Sequence, residues 1–371
     1  MPQISDFLYR KASARKIPLS GGFELSPVCN FACKMCYVRR TPSQIEQEGK
    51  CLRSWNDWLK LAKECKEAGT LYLLLTGGEP FLYPHFRELY QELHHMGFIL
   101  SINTNGTMID QETVDWLKRS APSRINITLY GASAETYKRI CGHPDGYERA
   151  KNAIMMLKDA GIPVVINASM IPENACDLER IIKFGEEISV NTRVATYMFP
   201  PARRTPETSD SRFTPEMAAE IYLKKYRCYF EEEEYFNRLK EQLQDITLDS
   251  EMEETWGSNK EYMRCRAGRS SFWVSWEGTM TACGMLPFPI EEYPFENPFR
   301  ECWMELTDRV RTTSVLAGCA GCKKRKICSP CVAMMYAETG DVNSKAPYLC
   351  EMTDYIIQGI KSELKEGFKG E

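Results

Sequence analysis

Short apolar runs alternate with amphipathic stretches from Gly21 to about Met198. The runs 22–26, 71–76, 98–103, 125–130, 163–170 and 192–198 are brief, rich in β-branched and aromatic residues, and flanked by turn formers. That pattern favours strands over buried helices. Between them, segments 55–68, 84–96, 111–119, 147–160 and 176–187 space their apolar residues as helices do, and Gly69, Gly97 and Gly161 stand where C-terminal caps belong. Six β/α alternations predict an α/β fold, a parallel sheet with helices outside it. Six units rather than eight make a partial (β/α)6 TIM-like barrel, and periodicity does not say whether it closes.

A Pro-, Arg- and Thr-rich stretch, 200–215, marks a boundary. A charged helical segment over about 215–244 follows, and its acidic run 231–234 reads as a solvated helix face. The expected units are an N-terminal extension (1–20), the barrel (21–200), a linker and helical bridge (201–260) and a small irregular cysteine-rich domain (261–371). With 47 basic against 51 acidic side chains and a net charge of −4, the chain does not read as a nucleic-acid binder, although charges can still cluster locally. No apolar run approaches the ~18 residues of a membrane span. The N-terminus lacks the apolar core of an export signal, so a cytoplasmic protein is expected. Sixteen Cys but four His make the cysteines the distinctive feature. A reducing compartment does not keep disulfides, which leaves metal bound by thiolate alone as the economical reading.

The segment Cys29-Asn30-Phe31-Ala32-Cys33-Lys34-Met35-Cys36 directly follows the first expected strand, with spacing C-x3-C-x2-C. Three thiolates from one short loop can hold three corners of a cubane iron–sulfur cluster, leaving one iron without a protein ligand. Clusters that only carry electrons usually take four Cys, and an open position on a metal is where chemistry happens. Spacing alone also allows a zinc site or unrelated cysteines. The neighbouring strand ends favour chemistry. Thr76-Gly77-Gly78-Glu79-Pro80 closes the second strand, with two glycines that let backbone approach a ligand and a carboxylate able to accept from an ammonium group. Asn103-Thr104-Asn105-Gly106 closes the third. In β/α barrels that edge carries the active site.

These residues resemble the radical S-adenosylmethionine (SAM) superfamily. Its C-x3-C-x-Φ-C loop corresponds to Cys29, Cys33 and Cys36, with Met35 where an aromatic is usual and Tyr37 beside the last Cys. The resemblance implies a partial barrel of the radical SAM type in which these three Cys hold a catalytic, SAM-binding 4Fe–4S cluster. It implies that Gly77, Gly78 and Glu79 bind the methionyl amino group and that Asn103 faces the ribose. Thr128 then stands for the family's usual Ser in the segment 125–131, and Arg139 meets the SAM carboxylate. Tyr130 replaces the Asp of that segment, so no role is carried over to it.

Cys265, then Gly278-x4-Cys283, then Cys319-x2-Cys322-x5-Cys328-x2-Cys331, then Cys350 form a second array. Zinc ribbons separate two CxxC knuckles by roughly 15–20 residues; the five between Cys322 and Cys328 are too few. The array resembles the SPASM domain behind many radical SAM barrels, one residue short before Cys331. By that resemblance Cys319, Cys322, Cys328 and Cys350 hold one auxiliary 4Fe–4S cluster, and Cys265, Cys283 and Cys331 a second. Either Cys228 or Cys302 completes the second, or one of its irons stays open, which is slightly favoured. Lys323, Lys324, Arg325 and Lys326 either raise the potential of an anionic cluster or form a solvated loop. Cys51, Cys65, Cys141, Cys176, Cys228 and Cys302 read as small buried apolar residues, unless one donates a hydrogen atom as a spare Cys does in some members.

His85, His94, His95 and His143 show no ligand spacing, and the chain has no G-x-S-x-G elbow, P-loop lysine or dinucleotide G-x-G-x-x-G. The resemblance implies reductive cleavage of SAM to a 5′-deoxyadenosyl radical that takes hydrogen from a substrate, with a donor such as flavodoxin or ferredoxin supplying the electron. The auxiliary clusters accept the substrate's electron, or bind substrate at an open iron. SPASM domains often accompany oxidation, crosslinking or epimerisation of peptide or protein side chains, so a peptide is the leading substrate and a small molecule the alternative. Gly284 stands where sulfatase-maturing relatives carry an Asp, which argues against formylglycine formation. Only 28 residues precede Cys29, against roughly 80 for a leader-binding winged-helix domain, so leader binding calls for a separate protein. A non-enzymatic iron–sulfur electron carrier or redox sensor is the reading from another class; a carrier has no use for an ammonium-binding strand end.

Overall fold

The computed structural model describes residues 4–200, 211–248 and 261–367. Strands β1 (Ser20–Glu24), β2 (Tyr72–Thr76), β3 (Ile99–Thr104), β4 (Arg124–Thr128), β5 (Val164–Ser169) and β6 (Thr192–Ala195) lie parallel and in chain order. Helices α1 (Ile4–Ala14), α2 (Pro42–Gln47), α3 (Trp55–Glu67), α4 (Phe86–His95), α5 (Gln111–Arg119), α6 (Ala134–Cys141), α7 (Gly146–Asp159) and α8 (Leu178–Glu187) belong to the same half of the chain. Strand pleat divides the barrel residues by parity. In β3, Leu100 and Ile102 are buried in the core, while Ser101 and Asn103 line the lumen. Caps start the helices. Ser54 accepts from the Asp57 N–H and Asp57 returns the bond, a reciprocal pair that launches α3 and turns Trp58 onto Phe23 of β1 at 4.9 Å between rings.

The expected bridge helix is two, α9 (Pro215–Tyr229) and α10 (Glu232–Leu248). Ten residues of the expected linker, 201–210, and residues 249–260 of the bridge lie outside the described residues. The remainder comprises β7 (Glu261–Tyr262), β8 (Ser271–Val274), β9 (Met280–Thr281), α11 (Phe299–Thr312), β10 (Ser314–Val315), α12 (Arg325–Cys328), α13 (Val332–Thr339) and α14 (Pro347–Gly367). The sheet runs on into it: β8 pairs parallel with β1, from Ser20 against Ser271 to Phe23 against Val274. Glycine permits this, because a Cβ on Gly21 or Gly22 would stand 2.4 Å from the Phe272 ring or 2.5 Å from the Trp273 ring. The resulting eight-stranded sheet is open, with β6 at one edge and β9 at the other, so the α/β barrel is incomplete as expected. One hydrophobic core extends from the barrel helices to Phe299, Trp303 and Ile360. No helix among the described residues is long and apolar enough to cross a membrane.

Buried Asn174 locks two strand ends together. Its Nδ2 donates to the carbonyls of Tyr130 (2.9 Å) and Ser169 (3.1 Å), and its Oδ1 accepts from the Ile171 N–H (2.8 Å). Asn174→Ala leaves three backbone groups without a partner and is expected to cost about 2–4 kcal/mol. Urea unfolding checks this, and an unchanged midpoint refutes it.

Candidate active site

The loop after β1 is strapped to the end of α6. Ala32 N–H donates to the Cys141 carbonyl and Lys34 N–H to that of Ile140, each at 3.1 Å, while Lys34 Nζ reaches Glu173 at 3.2 Å. Within it, Cys29 Sγ accepts from the Phe31 N–H at 3.3 Å and faces Asn105 Nδ2 at 3.8 Å, and Cys36 Sγ accepts from the Arg39 N–H at 3.3 Å. Cys33 lies against the Cys141 thiol and the Tyr130 hydroxyl. Burial pushes the Cys29 and Cys36 thiols up, with Cys33 adding to each, and the Cys141 thiol and then burial push Cys33 up. The three sulfurs therefore stand within electrostatic reach of one another, in a half-buried loop with donors aimed at sulfur. Donors of that kind favour the thiolate form. No trio of His, Cys, Asp or Glu among the described residues closes around a single metal ion. Thiols carried on one loop but spread apart suit the corners of an iron–sulfur cluster.

Gly77 and Gly78 run against this loop rather than into open space. Gly78 N–H donates to the Ser26 carbonyl at 2.7 Å and Glu79 N–H to that of Val28 at 2.9 Å. Gly77 has φ +153°, and a Cβ there would stand 2.3 Å from the Ser26 carbonyl oxygen; at Gly78 it would stand 2.5 Å from that of Val28. The close approach expected toward a ligand is made, in this structure, to the chain's own backbone. Glu79 is fully buried. Its Oε1 accepts from Thr104 Oγ1 (2.8 Å) and the Phe81 N–H (3.2 Å), and its Oε2 from Thr104 Oγ1 and the Asn105 N–H (both 2.9 Å). Burial pushes its carboxyl up to about 7 against the pull of these donors. Glu79 thus braces the ends of β2 and β3. Asn105 carries the brace onward, its Nδ2 donating to Asn30 Oδ1 at 2.8 Å beside Cys29.

The other expected SAM contacts are more dispersed. Asn103 accepts from Asn126 Nδ2 at 2.7 Å on the lumen wall, and Thr128 ends β4 opposite Asn167. Arg139 lies on an exposed face of α6, where its guanidinium donates to the Glu173 carbonyl at 2.6 Å and lies 3.8 Å from Glu135. Met35 is buried in the core, and Tyr37 lines the lumen. Cys141, Tyr130 and Asn30 were not picked out by sequence. The one available signal for Cys141 was the cap pair Ser133 and Gly142, which delimits a helix ending on it.

In the C-terminal part, Cys319 lies within electrostatic reach of Cys322, Cys328 and Cys350, and Cys283 within reach of Cys265 and Cys331. Burial raises Cys319, Cys328, Cys350, Cys265 and Cys283 alike. Cys302 instead faces Glu292, and burial pushes it up to about 11; Cys228 faces Glu179 and Lys224. Neither is among the groups acting on Cys265 or Cys283. Lys324 pairs with Asp354 and Arg325 with Glu261, and both still feel Cys322.

Residues 23–185 match the radical SAM superfamily domain. The chain is 27% identical over 338 residues to the AdoMet-dependent heme synthase of Methanosarcina barkeri, covering 88% of this chain and 94% of that protein. It is 29% identical to the PqqA peptide cyclase of Ruegeria pomeroyi over 46% of this chain and 45% of that one. SuiB of Streptococcus suis, solved also with S-adenosylmethionine, shares the fold at TM-score 0.64 and 17% identity, over 93% of this chain and 81% of its own. Residues 23–185 form a radical SAM superfamily domain: the chain is a radical SAM enzyme that uses a 4Fe–4S cluster and SAM, and it carries a C-terminal extension beyond that domain.

Proposed function

We propose that Cys29, Cys33 and Cys36 hold the SAM-binding cluster and that the substrate sits beneath it, in the barrel lumen. The observation that carries this reading is a cavity of about 810 Å³ inside the barrel, lined by Asn103, Asn126 and Asn167 and reaching Cys283 and Gly284 of the extension. That volume suits a ligand of cofactor size. When bound, cluster and SAM supply a 5′-deoxyadenosyl radical that abstracts hydrogen. The chain's part is positioning and exclusion of water. Glu79, Thr104 and Asn105 fix the strand ends above the lumen, Asn30 and Asn105 steady the Cys29 side of the loop, and Tyr130 covers Cys33. Cys319, Cys322, Cys328 and Cys350 would hold one auxiliary cluster, and Cys265, Cys283 and Cys331 another with one iron open. Arg139, engaged with Glu173, would reach the SAM carboxylate only after leaving it.

For the substrate, the near full-length likeness to a heme synthase supports a compact organic molecule. A peptide or protein side chain entering the same lumen is the second reading, supported by the partial likeness to a peptide cyclase. The electron would come from a flavodoxin or ferredoxin. The test incubates reconstituted protein with SAM and dithionite in deuterated water, with candidate peptides or small molecules. Deoxyadenosine formation together with a mass change in one class assigns the substrate. Absence of deoxyadenosine refutes the reading.

A further inference from the structure

The lumen is unusual in its charge. Its lining includes Arg124, Arg193 and Arg266 and no carboxylate. Arg124 opens β4, at the end opposite the cysteine loop, and Arg193 is the second residue of β6, level with Asn167 in the sheet; both line the cavity. They repel each other: Arg124 is held below its ordinary value by burial and then by Arg193. A smaller cavity of about 450 Å³ adjoins through Arg266 and is lined by Arg10, Arg264, Arg269 and Cys265, with Asp6 its one acid, bound to Arg266 at 3.1 Å. Six arginines thus surround two joined cavities in a chain whose net charge is −4.

Unpartnered atoms mark the same place. Arg124 Nε, Trp273 Nε1 and Asn126 Oδ1 are buried side-chain atoms without a hydrogen-bond partner, and all three residues line the lumen. Buried polar groups are normally satisfied, so an orphan needs an explanation. Two of these are donors on different walls of one cavity, next to a like-charged pair. An anionic group beside Arg124 and Arg193 would offset the repulsion and give Arg124 Nε a partner, since charge-assisted bonds to carboxylate or phosphate are among the strongest a guanidinium makes.

We infer that the barrel floor is a recognition site for oxyanion groups, and that the substrate carries at least two of them, as carboxylates or phosphates, facing Arg124 and Arg193. This rests on the proposed function only in taking the lumen as the substrate's seat. An anionic end gripped at the floor would leave the uncharged part of the molecule toward the cysteine loop, where hydrogen is removed. Arg124 and Arg193 are positioning residues in this scheme.

Calorimetric titration of the reconstituted holoenzyme with SAM tests it, using tricarballylate, its neutral triamide and inorganic diphosphate as probes. One anion is expected to bind and the triamide not to. The Arg124→Met/Arg193→Met double variant should bind that anion about tenfold more weakly or worse. Tighter binding of tricarballylate assigns carboxylates; tighter binding of diphosphate assigns phosphates. If the double variant does not fold, Arg124→Lys, which keeps the charge, and Arg193→Met, at an exposed position, read the same loss in smaller steps. The inference is overturned if neither anion binds, or if the variants bind as the natural chain does. The proposed function fails by a different sign, absence of deoxyadenosine from SAM in the natural chain.

Discussion

Replacing Cys29, Cys33 and Cys36 together with Ala is expected to reduce deoxyadenosine formation from SAM and dithionite to background. The three thiols are the donors the loop offers, each half-buried and each within reach of the other two. An alanine supplies no electron pair to iron, and the loop's own residues, 25–40, include no His, Asp or Glu to substitute. If three cubanes are present, the natural chain should hold about twelve iron and the variant about eight. A Cys265→Ala/Cys283→Ala/Cys331→Ala variant is the control. It should lose iron to a similar extent yet still cleave SAM, because those thiols belong to the C-terminal extension and not to the loop. Surviving cleavage in the first variant would show that the site is misassigned. A natural chain holding about two zinc and no iron would remove the whole account.

What could be read from sequence was what is local. Strands β1 to β6 emerged because each is a short apolar run bounded by turn residues, and α5 emerged at 111–119 from its apolar spacing; in the structure Asp110 caps its start by accepting from the Thr113 N–H. The cysteine spacings were equally local. What escaped depends on contacts between distant residues. Strand β8 is a four-residue segment in an irregular region, and only the bare backbone of Gly21 and Gly22, some 250 positions away, makes it part of the sheet. Cys141 read as one more buried cysteine; α6 brings it to Cys33. Arg124 and Arg193 carried no signal of their own, because parity across a sheet of unknown closure does not say that both turn inward. Glu79 was identified as important from its motif, but its partners were not: the brace depends on Thr104 and Asn105, which arrive from the next strand.

That brace gives the second large effect. Glu79→Gln is expected to change not only stability but its pH dependence. The Glu79 carboxyl is raised from its ordinary 4.5 to about 7 by burial. Between those values the folded chain keeps a proton that the unfolded chain has released, so stability is greatest below about 4.5 and falls as pH rises toward 7. A shift of that size is worth roughly 3 kcal/mol, since one pKa unit is about 1.4 kcal/mol. Glutamine does not titrate, so its curve lacks this fall. It has a different cost, because its amide NH₂ must face one of three donors: Thr104 Oγ1, the Phe81 N–H or the Asn105 N–H. The hydroxyl can rotate to accept, but the backbone groups cannot, and an unpaired buried donor costs about 1–3 kcal/mol. At pH 5 the variant should therefore unfold at lower urea than the natural chain. By pH 8 the gap should close or reverse. Taking the difference between the two proteins at each pH cancels the titration of groups they share, including the cysteines. Parallel curves would mean that Glu79 is charged throughout and that the strand-end brace is an ordinary ion site. Crossing curves would show that Glu79 of the Gly77-Gly78-Glu79 segment holds the ends of β2 and β3 together as a buried, partly protonated acid, at a cost in stability that increases with pH.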